Sequence, residues 1–212
     1  MPMLSRRLIV LLLVICPILS AQNSSPLSVE AHGSFLIPVG ALNEWLLPAP
    51  GVGLCIGQRT EGSMLWEGVF EMVSFSEPNT KKLYYDALDL KLKAYGAGVQ
   101  MRYYILENAF PVEPFVCASA VLYRWQAERG SMATDTAGTL VVPSLSQADW
   151  SMGFHAGVGV EFASLNGTFV SLQARYGVIL GELWPALALR LEGVSGFQIV
   201  SISVGIRQEF EF

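Results

Sequence analysis

Charged residues and long hydrophobic runs are both scarce in this sequence. Charged residues make up 15% of the 212 residues, and hydrophobic residues make up 52%. After residue 21 there is no run of about 18 apolar residues, which excludes a transmembrane helix from the rest of the chain. The many apolar residues are therefore dispersed along the sequence, and alternation with polar residues is one way of dispersing them.

Residues that carry chemistry are also few. The chain has two histidines, His32 and His155, and lacks a G-x-S-x-G nucleophile motif. We expect Cys55 and Cys117 to be separate buried thiols rather than a disulfide. Two histidines and two separated cysteines do not make a metal site, so we expect no metal, no cofactor and no catalytic residue.

The N-terminus has the pattern of a secretory signal peptide. Arg6 and Arg7 are followed by an apolar stretch and then by small residues, and we place the cleavage point after Ala21. The predicted organisation is a signal peptide at 1–21 and one domain at 22–212. Cleavage removes two basic residues and no acidic ones. The net charge of the mature chain is therefore more negative than the −5 of the full sequence. This charge argues against nucleic acid as a partner, because phosphate binding requires clustered Lys and Arg.

Apolar and polar residues alternate in segments of about ten residues, as in the strands of a membrane barrel. In the last segment Val200, Ile202, Val204 and Ile206 share one face, which lipid would cover. The apolar phase changes within one segment, and we predict a β-bulge there at Gly96 or Gly98. Eight strands are predicted, at 28–37, 52–59, 64–75, 87–106, 112–126, 151–162, 168–180 and 200–212.

The connections between these segments alternate strictly in length, which is a second indication of a membrane barrel. Bacterial barrels have short periplasmic turns and long extracellular loops, and an even number of strands closes the sheet. The apolar stretch 184–191 is either part of a loop or an extra strand. The long links are 38–50, 77–86, 128–148 and 182–195, and the short links are 60–63, 107–111 and 164–167.

The domain resembles the small outer-membrane β-barrel proteins, the group that includes the OmpA transmembrane domain and the OmpX and OmpW types. The resemblance rests on Gly33–Leu42, Met101–Tyr104 and the terminal Phe210-Glu211-Phe212. It implies an all-β, eight-stranded antiparallel up-and-down transmembrane β-barrel in the outer membrane of a Gram-negative cell, reached by export through the periplasm. It also implies contact with outer-membrane lipid and lipopolysaccharide, and recognition of Phe212 by the barrel-assembly machinery.

The interior of an eight-stranded barrel is just wide enough for side chains to fill it. Because both signs of charge occur on the predicted inward face, we expect an ion-pair network there. A soluble lipocalin-like barrel, the main rival fold, would instead have an apolar interior and a polar outside. The predicted inward set is Glu30, His32, Glu67, Glu71, Lys91, Lys93, Gln100, Arg102, His155, Glu161, Gln173, Arg175, Arg207 and Glu209.

The sequence favours a structural or surface-binding role without catalysis, with a possible surface ligand at loop 128–148. A narrow pore or a channel for small-molecule uptake is an alternative. A lipid-modifying enzyme is a second alternative, because Ser34 and Glu30 lie near His32, and Ser151 and Glu161 lie near His155. Those short spacings also arise from strand alternation alone.

Overall fold

The computed structural model describes residues 25–40, 42–60, 63–79, 89–106, 111–133, 141–164, 166–180 and 197–210. The predicted signal peptide at 1–21, the stretch 184–191 and Phe212 lie outside these residues, as does part of the link 128–148. The elements are β1 (Leu27–Val39), α1 (Leu42–Trp45), β2 (Ala49–Arg59), β3 (Met64–Phe75), β4 (Leu90–Tyr104), β5 (Val112–Arg129), β6 (Met132–Ala133), β7 (Val141–Val142), β8 (Leu145–Ala163), β9 (Thr168–Leu180) and β10 (Phe197–Phe210).

Eight of the strands form one closed antiparallel barrel. Its order is β1-β10-β9-β8-β5-β4-β3-β2, and the seam between β1 and β10 places Leu27 opposite Phe210. The two short strands β6 and β7 pair with each other in the connection between β5 and β8. The predicted eight-stranded, up-and-down, all-antiparallel fold is confirmed. Among the described residues, no helix is long and apolar enough to cross a membrane.

The outside of the barrel is predominantly apolar. In β10, Ile206 is 62% exposed, whereas Ser201 and Ser203 are buried in the interior. The same alternation of buried and exposed positions runs along the other seven barrel strands. This arrangement is the opposite of a lipocalin-like barrel, in which the apolar face is inside.

The connections are short at one end of the barrel and long at the other. The short-turn end has the links 60–63, 105–111 and 164–167, and the long-link end has 40–48, 76–89, 130–144 and 181–196. The hairpin at Asn166-Gly167 has positive φ at both residues, as a tight β-hairpin turn requires. The predicted link 128–148 is shorter than expected, because β5 runs to Arg129 and β8 begins at Leu145.

The predicted bulge in β4 is wrong. Pairing between β4 and β5 runs without interruption from Leu90 opposite Arg129 to Tyr104 opposite Phe115. Gly96 is needed for another reason, because a Cβ there would lie 2.6 Å from the Tyr123 ring. Without a change of phase, the Leu90 and Leu92 side chains point into the barrel, and Lys91 and Lys93 point outward.

Candidate functional site

The barrel interior consists of two layers of different chemistry. A polar layer of charged and hydroxyl side chains fills the middle of the barrel, and toward the short turns it packs against a small apolar cluster of Leu65, Tyr104, Phe115 and Cys117. An apolar layer fills the long-link end, and sequence reasoning did not anticipate it. The apolar layer contains Leu36, Leu42, Leu46, Ala49, Val73, Phe75, Leu90, Leu92, Ala94, Val121, Tyr123, Trp125, Ala127, Ile179, Phe197 and Ile199.

Arg102 on β4 is the centre of the polar layer. Its guanidinium forms ion pairs with Glu30 at 2.7 Å, Glu67 at 2.8 Å and Glu161 at 2.7 Å. Gln100 donates a hydrogen bond of 3.0 Å to Glu67, and Ser171 donates one of 2.9 Å to Glu30. These contacts join β1, β3, β4, β8 and β9 through the middle of the barrel, and so they close the lumen.

A second arginine extends this network toward the short turns. Arg207 on β10 pairs with Glu161 and with Glu209, each at 2.5 Å. The Tyr104 hydroxyl donates a hydrogen bond of 2.9 Å to the same carboxylate of Glu161. Glu161 is completely buried, which is tolerable because its charge is matched by two guanidinium groups.

A third cluster lies nearer the apolar layer and contains one of the two histidines. Arg175 forms an ion pair with Glu71 at 2.7 Å, and the Tyr123 hydroxyl donates a hydrogen bond of 2.9 Å to Glu71. The Tyr123 oxygen is also 3.2 Å from Nε2 of His155, and Nδ1 of His155 is 3.1 Å from Oγ of Ser119. Since Tyr123 donates its only proton to Glu71, a neutral His155 carries its proton on Nε2 and accepts from Ser119.

This chain of hydrogen bonds has the order of a nucleophile, a base and an orienting group. Ser119 is only 8% exposed and faces the filled interior, and both ring nitrogens of His155 have partners. Ser34 and Ser151 are the serines near a histidine in the sequence, but the serine hydrogen-bonded to His155 is Ser119. Ser119 and Tyr123 were missed because they meet His155 through the register of β5 against β8, which is not visible in the sequence.

The middle of the link after β1, residues 42–46, folds into the mouth of the barrel. Leu42 and Leu46, at the start of α1 and just after its end, are buried against the apolar layer. The backbone N–H of Asn79 donates to the carbonyl of Trp45 at 2.9 Å, and its side-chain amide donates to the carbonyl of Asn43 at 2.7 Å. These contacts connect the segment 42–46 to the link after β3, and the segment covers the apolar layer.

Two cavities lie in the interior that the described residues enclose. One lies between the two layers, beside His32, Tyr123, Trp125, His155 and Arg175, and has room for about one water molecule. The other lies at the mouth beneath α1 and is smaller. The mouth cavity is lined by apolar residues, which are Leu42, Trp45, Leu46, Leu90, Leu92, Ala127 and Phe197.

Twelve of the fourteen side chains predicted to point inward do so; the exceptions are Lys91 and Lys93. His32 lies 4.0 Å from Glu30 and 3.9 Å from the Cys55 sulfur. Cys55 and Cys117 are free and buried, as predicted. Within the described ranges, no three His, Cys, Asp or Glu side chains are grouped so that they could hold a metal ion.

No protein-family model matches the chain, and no curated protein matches its sequence. Its fold does match solved structures. Neisserial surface protein A (NspA) is 16% identical, with a TM-score of 0.57 over 87% of this chain and 97% of that one. A major outer membrane protein from Thermus thermophilus is 10% identical, with a TM-score of 0.57 over 89% of this chain and all of that one.

The chain therefore has the fold of the small outer-membrane β-barrels, as the resemblance in its sequence predicted. At these identities the likeness shows the fold alone. What the protein does must be argued from its own interior and surface.

Proposed function

We propose that this protein is a closed outer-membrane barrel that conducts no solute and acts as a rigid support for its surface-exposed links. The observation that carries the proposal is the double closure of the lumen. Ion pairs around Arg102 block the polar layer, and Trp125, Phe75 and Phe197 block the apolar layer above it. An ion would have to displace both layers to pass.

The outer surface supports placement in the outer membrane. Apolar side chains such as Ile202, Val204 and Ile206 are exposed, and only lipid can cover such a surface on a closed barrel. The long-link end then faces the outside of the cell, and the predicted surface ligand site at 128–148 is at that end. The predicted signal peptide provides the export that this location requires.

Conductance measurements test the proposal directly. The folded protein is reconstituted in planar bilayers, and single-channel current is recorded beside a large porin whose wider barrel leaves an aqueous channel. We expect no discrete current steps from this protein. Regular, reproducible steps that depend on the presence of the folded barrel would show that the lumen conducts and would overturn the proposal.

Uptake of a small apolar molecule is a second candidate function, favoured by the mouth cavity beneath α1. Its lining is apolar, so an apolar molecule that displaced Leu42 and Leu46 from the mouth would lie against an apolar wall. A fluorescent apolar probe should be bound by the wild-type protein and released by Leu92→Asp, which places a charge in the lining. Equal fluorescence for the two proteins would show that the mouth cavity holds no probe.

A further inference from the structure

The outward-facing charges of the barrel strands are confined to two neighbouring strands. The outward positions of β1, β2, β3, β8, β9 and β10 are uncharged throughout their described residues. By contrast, β4 presents Lys91 and Lys93 to the outside, and β5 presents Arg124 and Glu128. A charged side chain facing the centre of a bilayer costs about 2–4 kcal/mol, but it costs little near the interface. These four residues, all toward the long-link end, therefore mark the level of the outer headgroups.

Two of these charges are adjacent on the barrel wall. Lys93 on β4 is opposite Gln126 on β5, and Arg124 is two residues from Gln126 along β5. Lys93 and Arg124 are thus diagonal neighbours, about 7–8 Å apart at the backbone. Long basic side chains at this spacing can bind one anionic group between them.

The same two cations lack an ion-pair partner, whereas the other two charged residues on this face have polar side-chain partners. Lys91 pairs with Asp89 at 3.1 Å, and Glu128 lies opposite Lys91 and accepts a hydrogen bond of 2.8 Å from Gln126. Within the part of the chain that the structure describes, no carboxylate forms an ion pair with Lys93 or Arg124. Glu128 is also a diagonal neighbour of Lys93, but its carboxylate accepts from Gln126, so the two cations have no ion-pair partner in a protein of negative net charge.

Aromatic side chains lie on both sides of Arg124, at the same level of the barrel wall. Tyr95 and Trp150 lie directly opposite Arg124 on its two neighbouring strands and are 52% and 53% exposed. The Arg124 guanidinium is 5.4 Å from the centre of the Trp150 ring. Exposed Tyr and Trp are typical of the membrane interface. The next level on the wall, Leu122 and Met152, is apolar, so the change from headgroup to acyl chain occurs at the aromatic residues.

We infer that Lys93 and Arg124 form a binding site on the outer wall for the phosphate group of an outer-leaflet lipid. The phosphate lies between the two cations, and the acyl chains of the same lipid lie along Leu122 and Met152. A lipid is the occupant because the positive pair is continuous with an apolar surface, which a free anion or an acidic peptide would leave uncovered. The inference rests on the proposed membrane location and names a partner for one face of the barrel.

The test measures lipid retention by native mass spectrometry on the full-length mature protein in nanodiscs. The discs contain zwitterionic phosphatidylcholine with a small fraction of either phosphorylated lipid A or its dephosphorylated form. We expect the wild-type protein to retain the phosphorylated form roughly thirtyfold better, because each of the two basic residues contributes about fivefold to binding of an anionic lipid. The double variant Lys93→Gln/Arg124→Gln should lose this preference.

The matched control is Lys91→Gln/Arg129→Gln, which removes the same number of charges. Lys91 is already paired with Asp89, and Arg129 donates to the carbonyl of Pro143 rather than facing the outer wall. We expect this control to keep the preference. Equal retention by the two double variants, or equal retention of the two lipid forms by wild type, would overturn the inference. Displacement of the lipid by soluble inorganic phosphate would also overturn the inference. The same holds if the measured mass shows a second copy of the chain bound in place of the lipid.

Membrane insertion is measured separately, so that failure of the proposed membrane location can be distinguished from failure of the lipid site. Heat-modifiable gel migration and protease protection are read in phosphatidylcholine vesicles without anionic lipid. A protein that does not insert there overturns the membrane location and the lipid site together. A protein that inserts but does not distinguish the two lipid forms overturns the lipid site alone.

Discussion

The guanidinium of Arg102 on β4 lies 2.7 Å from the carboxylate of Glu30 on β1, across the interior of the barrel from one wall to the other. Both side chains are only 1% exposed. Arg102 also pairs with Glu67 and Glu161, so its removal leaves the buried carboxylates of Glu30 and Glu67 without a guanidinium partner and Glu161 with Arg207 alone. The stability of the barrel should therefore depend strongly on this one side chain.

We predict that Arg102→Met lowers the free energy of unfolding by about 3–5 kcal/mol, as is usual when one partner of a buried ion pair is removed. The measurement is reversible urea unfolding in lipid vesicles, followed by tryptophan fluorescence. Arg59→Met is the control, because the Arg59–Glu113 pair is more exposed and should contribute no more than about 1 kcal/mol. Equal losses for the two variants would mean that the Arg102 network does not stabilise the fold.

The Tyr123 ring lies beside two glycines, and filling either space should be costly. A Cβ at Gly153 would lie 2.6 Å from one edge of the ring, and a Cβ at Gly96 would lie 2.6 Å from the other. We predict that Gly153→Ala lowers the free energy of unfolding by about 1–3 kcal/mol through overpacking. Gly33→Ala is the control, because a Cβ at Gly33 meets nothing within 4 Å. A stable Gly153→Ala variant would contradict the tight fit of the ring.

The segment 42–46 should stay closed over the apolar layer as long as Leu46 is present. Leu46 is 2% exposed, and its replacement by Ala should cost about 2–5 kcal/mol of local packing. We predict faster proteolysis of the link after β1 in Leu46→Ala than in wild type, while the barrel itself remains folded. Glu44→Gln, an exposed change in α1, serves as the control and should be cut at the wild-type rate. No change in the rate for Leu46→Ala would show that this side chain does not hold the segment down.

Ser119 should be chemically inert despite its hydrogen bond to His155. Its hydroxyl faces the filled interior, where a substrate carbonyl has no room to approach it. We predict no labelling of the folded protein by a fluorophosphonate probe, measured by intact mass. Labelling that His155→Asn abolishes would instead identify Ser119 as an activated nucleophile, and the proposed absence of catalysis would be wrong.

Alternation in the sequence was enough to predict the barrel and most of its interior, because lipid imposes a strict apolar face on every strand. Alternation gave a wrong prediction where lipid no longer requires an apolar outer face. Alternation predicts Lys91 and Lys93 in the interior, yet they face outward near the long-link end, where a charged side chain close to the membrane interface costs little. Leu90 and Leu92 then point inward and contribute to an apolar layer that alternation excludes.

The hydrogen bonds of the interior were beyond sequence reasoning for a different reason. Ser119 lies between Ala118 and Ala120, and these small residues carry almost no signal of which face they occupy. Its approach to His155 follows from the pairing of β5 with β8, which places Ser119 directly opposite His155. The register of two strands separated by a long link depends on the whole closed sheet, and a single strand does not encode it.

The seam between β1 and β10 also constrains how the protein is made. Leu27 lies opposite Phe210, so the sheet closes between the strands that are farthest apart along the polypeptide. Until β10 has been synthesised and exported, β1 has unpaired amide and carbonyl groups along one edge, which hydrocarbon cannot satisfy. Partial chains are therefore unable to enter the bilayer stably, and the cell must keep the whole polypeptide unaggregated in the aqueous compartment until its last strand arrives.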